Sequence, residues 1–173
     1  MLARVRIVQL SPAALRALAE GDLASANAAA DISLTPYFAG PDWRGVWRRR
    51  SAQVLDDPGS AAWITGVVWD VRRQLAVGRA GFHGHPDPVG MVEVGYAIDP
   101  AHRRQGYARA ALLSLLDRAA RDPAVRTVRA TVRPDNLASR NLILQYGFIE
   151  VGEQWDDEDG LEIIYETSSG APR

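Results

Sequence analysis

The chain has 173 residues, 47% of them hydrophobic and 24% charged, with a formal net charge of −1. That is the size and balance of one ordinary globular domain with room for a core, and the charge gives a nucleic-acid partner no support. The absence of cysteine excludes disulfides, thiolate catalysis and cysteine-based zinc sites; the absence of lysine, all 20 basic residues being arginine, excludes Schiff-base chemistry and a P-loop lysine. Residues 4–10 read as a first strand. Ser11-Pro12 is a helix start, Ser as N-cap and Pro at the first helical position, with a short helix over 13–20. A second short helix fits 22–30, and a third fits 41–55, stopped by Asp57-Pro58-Gly59.

Strands then dominate. Residues 62–71 and 74–83 form a hairpin turning at Arg72-Arg73, and His85-Pro86-Asp87-Pro88 is a second turn. Residues 89–98 are the next strand; their weak alternation suits burial on both faces. The clearest helix is 104–121, because Ala108, Ala111, Leu112, Leu115, Leu116 and Ala119 make one apolar stripe. Residues 127–133 alternate as a strand with Val128, Ala130 and Val132 on one face. A helix over 136–146 ends at Gly147, and 148–154 with 161–166 close the chain as an antiparallel hairpin around an acidic turn. The order β-α-α-α-β-β-β-α-β-α-β-β is that of an α/β (α+β) mixed sheet with helices on its faces. A single domain over 1–167 and a frayed tail beyond it are expected, as is a cytoplasmic protein, since no signal-like or membrane-length apolar run occurs.

Residues 93–109, EVGYAIDPAHRRQGYAR, carry the chemistry. A strand runs into a turn and then into a helix start, where amides lack intrahelical partners and the helix dipole is positive. Gly106 and Ala108 keep the backbone bare, and Arg103, Arg104 and Arg109 add positive charge, so the segment reads as a pyrophosphate cradle; a capped helix with surface arginines is the bland alternative. Only three histidines occur (His83, His85, His102), too few for a histidine-rich metal centre, and no metal is expected.

At these residues the chain resembles the GNAT superfamily of acyl-CoA N-acyltransferases. The family signature at such a turn is Gln or Arg, two residues, Gly, one residue, then Gly or Ala; Arg103-Arg104-Gln105-Gly106-Tyr107-Ala108 fits it. Ile98-Asp99-Pro100 before it, Asn136…Ser139-Arg140-Asn141 after the next strand, and Tyr146-Gly147-Phe148 add to the match. Glu93-x-Gly95-Tyr96-x-Ile98-Asp99 looks most like the branch containing RimJ and RimL, which acetylate protein N-termini. The resemblance implies a mostly antiparallel sheet of six or seven strands that splays between the fourth and fifth. It implies acetyl-CoA as cosubstrate, with Tyr96, Ala97 and Ile98 pairing with the pantetheine arm and residues Arg104, Gln105, Gly106, Tyr107, Ala108 and Arg109 under the pyrophosphate. Asn136 would contact the pantetheine, with Ser139 and Asn141 beside it. The acceptor would be a primary amine, of a protein N-terminus or a small molecule, and a homodimer is compatible with the resemblance.

Direct attack by an amine needs a base, because an alkylamine of pKa about 10.4 is mostly protonated at neutral pH. Glu93, five residues before Ile98 on the strand beside the thioester, is the first candidate, with His83 and His85 as rivals; a plain cross-strand role is the alternative. The tyrosine that many such enzymes use to protonate the thiolate falls at Ile143, and the base of another branch falls at Thr131. Ser139 is then the remaining donor, with Tyr146 read as core. The missing tyrosine keeps a non-catalytic coenzyme-A-binding module in play, and a different nucleotide-binding fold is a third reading. Trp43 and Trp47 share a helix face and read as core, Arg48-Arg49-Arg50 as a solvated face, and Asp156 to Asp159 as a solvated turn.

Overall fold

The computed structural model describes residues 4–157 and 160–170. Its elements in chain order are β1 (Val5–Val8), α1 (Pro12–Glu20), α2 (Leu23–Ala28), α3 (Pro41–Asp56), β2 (Gly66–Asp70), β3 (Leu75–Phe82), β4 (Met91–Ile98), α4 (Tyr107–Arg121), β5 (Thr127–Val132), α5 (Leu137–Leu144), β6 (Ile149–Asp156) and β7 (Gly160–Ser168). The hydrogen-bonded strand order is β1-β2-β3-β4-β5-β7-β6. The expected mixed, mostly antiparallel sheet with helices is therefore present.

Local signals set the boundaries. Ser11 Oγ accepts the Ala14 N–H at 3.1 Å and Pro12 opens α1, which Gly21 ends at φ 78°. Asp22 caps α2 through the Ser25 N–H at 2.9 Å. Pro41 starts α3 behind Gly40. A 3-10 turn over Pro58–Ala62 takes up the start of the strand expected from residue 62, so β2 begins only at Gly66.

The backbone forms two compact units, Met1–Gly81 with Tyr96–Ser114, and Phe82–Gly95 with Leu115–Arg173. In the first, β1, β2 and β3 form an antiparallel meander, from Val5↔Asp70 to Gly66↔Ala80. Its core gathers Leu15, Leu18, Phe38, Trp47, Ile64 and Val67. Trp47 is fully buried and its indole Nε1 donates to Phe38 O at 2.7 Å, so its polar edge is satisfied. The arginine run behind it is not wholly solvated. Arg50 is buried, and its guanidinium reaches Thr65 Oγ1 at 3.1 Å and Gln53 Oε1 at 2.6 Å. A helix of 3.6-residue period turns one of three successive side chains inward whatever its charge.

In the second unit β5, β7 and β6 are antiparallel, while β4 runs parallel to β5. The β4–β5 ladder holds Met91↔Thr127, Val92↔Val128 and Glu93↔Arg129 and stops there, although β4 runs to Ile98 and β5 to Val132. Val128, Ala130 and Val132 are buried as their alternation requires, together with Ile143, Phe148 and Tyr165.

Other boundaries also differ from expectation. Helix α4 begins at Tyr107, not at residue 104, because Arg104 and Gly106 hold positive φ of 61° and 84° and cannot continue a right-handed helix backwards. The chain beyond Thr167 is not frayed where described. Thr127 pairs with Ser168, and Ser169 gives its N–H to Arg126 O at 2.9 Å and its hydroxyl to Val125 O at 2.7 Å. The acidic turn lies partly outside the described residues, which resume at Gly160.

Candidate active site

The turn before α4 is an exposed loop, residues 103–106, on a rigid footing. Gly106 requires its glycine through its left-handed φ of 84°, and a Cβ there would meet nothing within 4 Å. Gly106 is exposed and stands just before the first helical residue, Tyr107, at the helix end where the first amides lack intrahelical acceptors. Arg103 Nε donates to Ile98 O at 3.2 Å, which ties the turn back to the end of β4. Asp99 Oδ1 accepts the Ala101 N–H at 2.9 Å, and the Asp99 N–H bonds Val77 O at 3.0 Å.

A clamp that sequence reasoning missed holds the start of α4. The Tyr107 hydroxyl donates to Asp70 Oδ2 at 2.6 Å, and Arg73 Nη1 donates to Tyr107 Oη at 3.2 Å and Gln105 Oε1 at 3.0 Å. Asp70 Oδ1 takes the amides of Arg72 and Arg73 at 2.9 and 3.0 Å. Burial by itself would raise the Asp70 carboxyl, but the bonds from Tyr107, Arg73 and Arg72 outweigh it and hold its pKa below the ordinary carboxylate value. Burial, then the bond to Asp70, raises the Tyr107 phenol. The Tyr107 side chain thus points inward, and only its backbone is left to a ligand. The double arginine at the hairpin carried a turn signal but no sign of this partner.

Gly78 and the end of β4 approach closely. A Cβ on Gly78 would lie 2.4 Å from Ala97 O and 2.9 Å from Ile98 Cα. Nearby, the Arg79 guanidinium stacks 4.0 Å over the half-buried Trp43 ring, which meets Tyr37 edge-on at 5.5 Å.

In the second unit Glu93 stands in a small polar cluster. Thr131 Oγ1 donates to Glu93 Oε1 at 2.8 Å, and His83 Nδ1 lies 3.5 Å from the same oxygen. The His83 and Glu93 side chains are 47% and 20% exposed. The backbone fixes the pair as well, through His83 N–H to Glu93 O at 2.8 Å. Arg129, opposite Glu93 in register, is taken by Glu166 Oε1 at 2.6 and 2.9 Å. His85 is exposed with Nδ1 at 3.0 Å from Pro86 O, and the half-buried His102 sits in a 3-10 turn of the first unit.

Asn136 is the N-cap of α5, its Oδ1 accepting the Ser139 N–H at 3.1 Å. Ser139 is half-buried, Asn141 is exposed and its backbone carbonyl accepts from Gln145 Nε2 at 2.8 Å, and Tyr146 is half-buried rather than core. Ile143, at the place of the absent tyrosine, is fully buried. Among the described residues no group of three His, Cys, Asp or Glu could hold a metal, and no helix is long and apolar enough to cross a membrane.

Residues 13–149 match the family of the acetyltransferase (GNAT) domain, and this chain belongs to that family. It is 40% identical over 73 residues to the uncharacterized N-acetyltransferase YjdG of Bacillus subtilis, covering 42% of this chain and 44% of that protein. It is 34% identical over 119 residues to L-2,4-diaminobutyric acid acetyltransferase of Streptomyces anulatus, covering 61% and 65%. The chain thus spans between under half and about two thirds of the length of these curated relatives. RimL, the ribosomal L7/L12 alpha-N-protein acetyltransferase solved with coenzyme A, shares the fold at a TM-score of 0.63 and 17% identity, over 95% of this chain and 92% of that one. Family membership overturns the reading as an unrelated nucleotide-binding fold.

Proposed function

We propose that the chain is an N-acetyltransferase that moves an acetyl group from acetyl-CoA to a primary amine by direct attack in a ternary complex. The observation that carries this reading is the open, left-handed Gly106 at the head of α4, uncrowded on its Cβ side, in the segment that also bears the family signature. A diphosphate fits that chemistry, since the exposed Arg103 and Arg104 supply charge and nothing crowds the glycine. In the first unit the reading assigns Arg103 to Arg109 to the diphosphate and the backbone of Tyr96, Ala97 and Ile98 to the pantetheine. In the second it assigns Asn136, Ser139 and Asn141 to further contacts.

Bound acetyl-CoA supplies a thioester carbonyl open to an amine. Glu93 takes the amine proton, being a partly exposed carboxylate held in a fixed rotamer, and the Ser139 hydroxyl is the proton donor for the leaving group. One catalytic domain over 1–167, in the cytoplasm, completes the reading. A homodimer belongs to it too, supported by the terminal strand β6, which exposes Ile149, Val151 and Trp155 at 66%, 49% and 75%.

The test is thiol release from acetyl-CoA over an amine panel. L-2,4-diaminobutyrate, the acid named for the Streptomyces relatives, heads the panel, followed by peptides with free N-termini. Glu93→Gln is expected to lower kcat by about 10²-fold or more, with acetyl-CoA affinity unchanged. Tight binding of coenzyme A with no release on any amine would favour the non-catalytic module.

A further inference from the structure

We propose that Thr131 is a positioning residue for the base: its hydroxyl fixes Glu93 so that Oε2 is the oxygen that receives the amine proton. The inference rests on the reading of Glu93 as base. Thr131 and His83 both address Oε1, at 2.8 and 3.5 Å, so the carboxylate's internal contacts converge on one oxygen. A hydroxyl between two strands gives that oxygen a fixed direction, because β5 holds the Thr131 backbone in the ladder opposite Ile164.

The charged neighbours explain why such a restraint matters. Arg129 pairs with Glu93 in register and lies two residues from Thr131 on β5, on the same side of the strand. Glu166 holds that guanidinium through two bonds to Oε1. His83 lies close to β4 as well, near enough that a Cβ on Gly95 would sit 3.0 Å from its Nε2. Thr131 is the uncharged member of the group. It therefore restrains Glu93 without offering a competing proton site at neutral pH, since a threonine hydroxyl does not titrate there. Removing the hydroxyl frees the carboxylate to rotate toward Arg129 or His83 and away from the amine.

A double-mutant cycle tests this on the full chain, with kcat, KM for the amine and the dissociation constant of acetyl-CoA measured for each variant. Thr131→Val keeps the β-branched shape and Thr131→Ala is a second hydroxyl-free variant; each is expected to lower kcat on the order of tenfold, with acetyl-CoA affinity unchanged. Thr131→Ser is expected to restore the rate. In a Glu93→Gln background Thr131→Val should cost nothing more, because the group it positions is gone. If Thr131→Val slows the Glu93→Gln enzyme by the same factor as the parent, Thr131 acts elsewhere and the inference fails. A slow Glu93→Gln beside a full-rate Thr131→Val overturns this inference alone, whereas a full-rate Glu93→Gln removes the base reading and this one with it.

Discussion

Replacing Tyr107 by Phe removes one oxygen and leaves the ring that packs beneath the first turn of α4. Two contacts are lost. Asp70 Oδ2 loses a 2.6 Å donor, and Arg73 loses an acceptor at 3.2 Å while keeping Gln105. The Asp70 carboxylate is 5% exposed, so water replaces the lost donor poorly. A bond to a charged acceptor in that setting contributes about 1.5–3 kcal/mol. At roughly 2–4 °C per kcal/mol for a chain of this size, the midpoint of thermal unfolding should fall by about 3–12 °C. The pH dependence separates this mechanism from generic loosening. Asp70 has a folded pKa below its unfolded one, so its contribution is present above the ordinary carboxylate value, about 4, and is lost as pH falls through the folded value. Without the Tyr107 donor the folded value rises toward the ordinary one. The gap in melting temperature between parent and Tyr107→Phe should therefore be full at pH 7 and shrink below about pH 4, which calorimetry across that range would read. Acetyl-CoA affinity should weaken in parallel, since the clamp fixes the head of α4. A gap that stays constant with pH, or a melting point that does not move, would refute the electrostatic account of the clamp.

Gly106→Ala should cost about 1 kcal/mol in stability, from φ alone because its Cβ meets open space, whereas Gly106→Glu should abolish acetyl-CoA binding in a titration; full affinity in the Glu variant would end the cradle assignment. Gly78→Ala places a methyl 2.4 Å from Ala97 O, so it should both destabilise the chain by 2 kcal/mol or so and raise KM for acetyl-CoA by displacing the end of β4; an unchanged KM would detach that stretch from the pantetheine.

What could be read from the sequence follows from how far apart the deciding residues lie. The stripe on α4 and the alternation of β5 were legible because each is settled inside one segment by a period of 3.6 or 2. Ser11 and Gly147 are legible for the same reason, as each signal acts within a few residues of itself. The start of α4 falls at Tyr107 rather than Arg104 because Arg104 sits at positive φ, a conformation that an arginine does not advertise. Arg50 was lost in a run of like charges, though helical period alone turns one of the three inward. The contacts that matter most to the site are of another kind. Tyr107 to Asp70 spans 37 residues and Thr131 to Glu93 spans 38, and in each pair one partner was noticed only for something else. Thr131 registered as a missing base, because its position was compared with a carboxylate that another branch carries. The structure gives that absence a positive content. A threonine there is small enough, and neutral enough, to leave room for a carboxylate arriving from the neighbouring strand. On the proposed reading the base stands on β4, and the threonine on β5 is its support.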